Sequence, residues 1–103
     1  MKIIEYYTDK IAEEIKDAKN YAMKALEFRD IDRDQAKTLH DLSVEEMDHM
    51  NRLHGLVTGI IDNYRKTNGE PPADMMARYE YIHKKAIEKA AKVKTLQDMF
   101  KSA

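Results

Sequence analysis

The chain has no cysteine, and this alone removes disulfides, thiolate metal sites and cysteine nucleophiles. Glycine and proline are scarce, three and two in 103 residues, while Ala, Leu, Met, Lys and Glu abound; such a composition suits long helices with solvated outer faces. No apolar run is long enough to span a membrane, and the opening Met1-Lys2-Ile3-Ile4-Glu5 turns charged too early for a signal peptide. Neither sign of charge dominates. A formal net charge of -1 and a pI near 6.4 offer no bulk attraction to nucleic acid or to an acidic membrane. Gly-rich phosphate loops and Ser-His-Asp patterns are also missing. The expectation is a single cytoplasmic domain over residues 1–103, with a modest core that would gain from a partner.

Two interruptions organise what is present. The apolar period breaks around Arg29-Asp30-Ile31-Asp32-Arg33, where Asp32 followed by Gln35 fits an N-cap with a capping box. It breaks again at Thr67-Asn68-Gly69-Glu70-Pro71-Pro72, with Asn-Gly as a stop and Pro as a first-turn residue of the next helix. No stretch alternates with period two. The predicted fold is therefore all-α, with helices at about 2–29, 33–67 and 72–101.

Charges stand out inside the apolar rows. In the first helix the inward rows read Ile4, Ile11, Ala18, Ala25 and Tyr7, Glu14, Tyr21, Phe28; in the second they read Leu39, Glu46, Leu53, Ile60 and Leu42, His49, Leu56, flanked by Ser43, Met50 and Val57. A carboxylate in a bundle core is costly unless it is paired or binds a metal. If the first turn centres near residue 31, Glu14 and Glu46 differ in height by only about 3 Å at the helical rise. Glu46 and His49 share a face one turn apart, so one ion can take a carboxylate and an imidazole from the second helix and a carboxylate from the first. This is half of a carboxylate-bridged two-metal site. No obvious source in the same chain supplies the other half, which points to a second copy.

A bare Glu-x-x-His is weak evidence, since roughly 0.35 of one is expected from composition alone, and a second occurs at Glu80 and His83. The weight rests on the place of the first motif opposite Glu14. The competing reading is a charged cluster turned to solvent by a small rotation of the helices.

Glu14-Ile15-Lys16-Asp17-Ala18-Lys19-Asn20-Tyr21, and about thirty residues later Glu45-Glu46-Met47-Asp48-His49, resembles the first half of a ferritin-like or rubrerythrin-like di-iron protein, over roughly residues 10–57. The pattern appears once here, so the chain is more similar to half-length encapsulated ferritins, in which two short chains build one bundle. The resemblance implies a ferritin-like helical hairpin plus a third helix, a four-helix bundle completed by homodimerisation, and two Fe ions per dimer held by Glu14, Glu46 and His49, with Mn or Zn as alternatives. It further implies ferroxidase activity, an oxidoreductase reaction of Fe(II) with dioxygen or peroxide. The chain lacks the cysteines of a rubredoxin-type centre, has a long third helix, and shows no recognisable shell-targeting peptide in residues 96–103.

Helix 3, folded back along helix 2, places Glu80 and His83 level with about residues 57–60, too far from Glu46 to contribute. His83 then reads as a boundary residue beside a seam of Met75, Tyr79, Ile82, Ala86, Val93, Leu96 and Phe100. His40 and His54 fall on outer positions and read as solvated. Tyr21 packs in the seam, with a hydrogen bond to a metal ligand or a radical relay near the metals as its functional alternative. Asp17 is a seam-edge carboxylate. Gly55 and Gly59 would let another helix approach closely, the seven Met read as core filler, and the lysines of helix 3 as a solvated face. Two other functions stay open: a metal-free helical adaptor whose seam carboxylates set register, and a Zn or Mn site that holds a dimer without redox chemistry.

Overall fold

The computed structural model describes residues 1–102 as three helices, α1 (Lys2–Phe28), α2 (Arg33–Asn68) and α3 (Ala73–Lys101), with no strand among them. The first reversal is built at Asp32, whose extended backbone lets its carboxylate accept the Gln35 N–H at 3.1 Å. The reciprocal half of the expected capping box is not formed. Asp32 N–H already donates to Phe28 O at 2.9 Å, and the Gln35 amide turns to the Asp32 carboxylate instead, at 3.5 Å. The second reversal needs Gly69, at φ 79°, a conformation that a side chain would strain; its N–H closes α2 on Arg65 O at 3.2 Å. Pro72 is the cap of α3 rather than its first residue, extended at ψ 135°, with its carbonyl accepting the Met76 N–H.

α1 and α2 form an antiparallel hairpin, and α3 returns parallel to α1. Its start lies beside the N-terminus, Met1 against Met75, and its end beside the first turn, where Arg29 Nη1 donates to Met99 O at 3.0 Å. The result is a rod of 55 × 19 × 18 Å, as long as α2 itself at about 1.5 Å per residue. α3 lies mainly against α1 and meets α2 along a narrower seam.

The core is narrow. Ile4, Ile11, Ile15 and Ala18 of α1 meet Val57 and Ile61 of α2 and Val93 of α3. About 15 Å in from the first turn one polar node joins all three helices: Ser43 Oγ donates to Ala18 O at 2.7 Å and accepts from Gln97 Nε2 at 2.9 Å, with Ser43 and Gln97 both buried.

α2 is turned relative to the expected seam. Its buried line runs through Ala36, His40, Ser43, Val57 and Ile61, while Leu39, Glu46, Leu53 and Ile60 are only half-buried and His49 and Leu56 are exposed. A helix packed against two neighbours faces the space between them, so the presence of α3 shifts the inward arc away from a two-helix seam. Two expectations fail for this reason. His40 is not solvated but buried, its ring stacked on Phe100 at 4.5 Å. His54 is half-buried and stacked on His83 at 4.5 Å, and His83 also lies against Tyr79. Burial, and then the charge of Lys101, holds His40 below its usual pKa; burial, and then His83, does the same for His54. Gly55 and Gly59 have nothing within 4 Å of where a Cβ would stand, so no helix of this chain uses them for close approach.

Candidate metal centre

Glu14 projects from the middle of α1, at the edge of the buried stripe of Ile11, Ile15 and Ala18. Glu46 and His49 sit one turn apart on the facing edge of α2. His49 lies about 120° around the helix from the buried Ser43, so the site opens on the side of the hairpin away from the polar node. The three side chains meet. His49 Nδ1 is 3.6 Å from Glu14 Oε2 and 3.5 Å from Glu46 Oε1, and one donor atom from each residue lies within 4.8 Å of the others. Donors bound at about 2.1 Å to one ion stand about 3–3.4 Å apart at adjacent positions and about 4.2 Å apart when opposite, so the two His49 contacts need shorten by only a few tenths of an ångström to close on an ion.

The electrostatics are those of a site short of positive charge. The Glu46 and Glu14 side chains are 18% and 23% exposed, half-withdrawn from water, whereas His49 is 52% exposed. Glu14 Oε2 is buried with no hydrogen-bond partner. Glu46 is pushed up to about 7, first by a hydrogen bond with Glu14, then by burial, then by the Glu14 charge. Glu46 therefore holds its proton against Glu14 near neutrality. A divalent cation would replace that proton and satisfy the orphaned oxygen, so the donor set fits a hard or borderline ion.

Among the described residues these three are the only group of His and acidic side chains that converges in this way. Asp17 is exposed and adds only a small repulsion to Glu46. Tyr21 is half-buried, two turns along α1, and its hydroxyl makes no hydrogen bond to Glu14, Glu46 or His49 among the described residues. Glu80 is exposed, and His83 is committed to His54 and Tyr79 on the other side of α2, so α3 brings no ligand to the centre. Sequence reasoning missed the Ser43–Gln97 node and the histidine stacks. The signal for them was the run of small and apolar residues at Ala36, Ser43, Val57 and Ile61, offset from the row of Glu46.

No known protein family, curated protein or solved structure matches this chain.

Proposed function

We propose that two copies of this chain pair through the open face of the hairpin into a ferritin-like four-helix bundle, and that together they hold a two-metal centre that oxidises Fe(II). The observation that carries the reading is the convergence of Glu14, Glu46 and His49 around an orphaned, buried carboxylate oxygen. One chain offers three protein ligands for a site that, in this class, uses six or so for two ions. The rows that hold these ligands also leave Tyr7, Tyr21, Phe28, Leu42, Leu53 and Ile60 half-buried and Leu56 50% exposed, an apolar frame around a polar centre. A two-fold axis through that frame would double the set to four carboxylates and two imidazoles.

In this reading Glu14 and Glu46 supply hard oxygen donors that favour the ferric over the ferrous state, and His49 supplies a neutral nitrogen. Bound iron contributes the redox chemistry, the transfer of electrons from Fe(II) to dioxygen or peroxide. The chain's part is to release the proton Glu46 holds against Glu14 as the cation arrives, and to present His49, half-exposed in the single chain, to the face where the second copy docks. The test is metal analysis of protein purified without chelator, then anaerobic addition of Fe(II) and admission of air, with oligomeric state measured throughout. Two ions per dimer and formation of Fe(III) faster than in buffer are expected. Redox-silent Zn or Mn binding would leave a structural site, and absence of binding would leave a metal-free helical protein. Stoichiometric metal on a chain shown to be monomeric would overturn the shared centre.

A further inference from the structure

Lys16 and Lys19 of α1 face Lys89 and Lys92 of α3 across a groove of about 460 Å3. None of the four makes an ion pair among the described residues, although five other lysines do. Glu13, the one carboxylate in that lining, is already held by Lys10 at 3.3 Å. Packed helices are ordinarily knit by opposite charges across their seam; four unpaired ammonium groups instead create a local excess of positive charge in a chain whose net charge is only -1.

The groove does not end at the lysines. Through Ala12, Ile15 and Lys89 it continues into a second, mainly apolar cleft of about 240 Å3, whose walls include Ile11 and Ile15 on α1 and Ile82 and Ala86 on α3, with the stacked His54 and His83 at its edge and Lys85 paired to Glu88. From Ile82 to Lys92 is about 15 Å along the helix. A narrow apolar slot opening onto a cationic mouth matches a molecule with an aliphatic tail and an anionic head. The slot is too small for a helix, which is about 10 Å across. An inorganic polyanion would use the lysine mouth but leave the mainly apolar slot unfilled, while the lysine stems extend the apolar surface up to the charged mouth.

We infer that this groove binds a single-chain anionic amphiphile, with the tail between Ile82, Ala86 and Ile15 and the carboxylate among Lys16, Lys19, Lys89 and Lys92. Ala12, which lines the groove, points about 160° around α1 from Glu14, so pairing of two copies through the metal-centre face leaves the groove open, and the inference does not rest on that centre.

The test is calorimetric titration of the full chain with dodecanoate below its micelle concentration at low salt, with decanoate, dodecyltrimethylammonium, inorganic phosphate and phosphatidylglycerol vesicles as parallel arms. Saturable binding of one dodecanoate per chain is expected, with decanoate about tenfold weaker for the loss of two buried methylenes. The joint substitution Lys16→Gln and Lys89→Gln, on exposed helical positions that tolerate glutamine, should weaken dodecanoate roughly fivefold without altering helix content or melting. Ala12→Trp should block the slot while leaving the lysines in place. Equal binding of the cationic detergent, indifference to the lysine changes, phosphate binding as tight as dodecanoate, or association with vesicles but not with free dodecanoate would each overturn the inference.

Discussion

Glu46→Gln in the metal-free protein is the sharpest probe of the centre. Glu46 titrates near 7 in the folded chain against an ordinary value of 4.5. Because the native state holds the proton more tightly, the protonated pair contributes stability that is fully present below about pH 4.5 and is lost as pH rises through 7. A shift of that size corresponds to about 3 kcal/mol. Water reaches the pair past the half-exposed His49, and screening reduces the figure to roughly 1–2 kcal/mol. Glutamine is close in shape to the protonated acid and can donate to Glu14 at every pH. Thermal melts in chelator at pH 5, 6, 7 and 8 should therefore show wild type and Glu46→Gln close together at pH 5, and the variant melting roughly 5–10 °C higher at pH 8. The comparison must be a difference between the two proteins. His40 and His54, with lowered values, act in the opposite sense and add stability as pH rises through the ordinary histidine range. A difference that stays flat with pH, or a variant that is the less stable protein at pH 8, would show that Glu46 does not hold its proton against Glu14 and would refute the account of the site.

The remaining expectations test other parts of the structure. The gain in melting temperature from Fe(II) or Mn(II) should grow from about pH 5 to about pH 7.5, since binding must displace the proton on Glu46, and Glu14→Ala should abolish that gain while helix content by circular dichroism stays unchanged. Ser43→Ala removes the acceptor of the buried Gln97 amide and should cost about 1–3 kcal/mol in urea unfolding, partly recovered by Gln97→Leu in the same chain. Gly55→Ala, in open space on a helix, should stabilise by about 0.5–1 kcal/mol; destabilisation would mean that something packs closely there in solution.

The three helices and their breaks were legible because Gly69, the Pro pair and the Asp32 cap are local signals that tertiary packing does not override. Glu14, Glu46 and His49 were legible for a different reason. Each is a charge in an apolar row, and counting the helical rise from the turn sets them level without knowledge of the third helix. What could not be read was the rotation of α2. Its burial depends on where α3 lies, and the apolar row of α3 shows which of its own faces turns inward but not which flank of the hairpin receives it, so His40 and His54 looked solvated when they are the side chains against which Phe100 and His83 stack. The Ser43–Gln97 contact spans 54 residues; the small and apolar run of α2 marks the face on which Ser43 lies, but nothing local names Gln97 as its partner.

That polar node also decides how freely α3 can slide. Between the His83 and Phe100 stacks its seam is lined by short side chains, Ala86, Ala90 and Val93, and a smooth stretch of that kind permits by itself several alignments of nearly equal packing. Moving α3 by one turn, about 5.4 Å, would carry the Gln97 amide away from Ser43 and leave that buried amide without a partner, while Ser43 keeps its bond to Ala18 O. The node thus works as a detent. Together with the His40–Phe100 and His54–His83 stacks it gives the seam a single resting position, and with it a fixed spacing of Lys89 and Lys92 opposite Lys16 and Lys19.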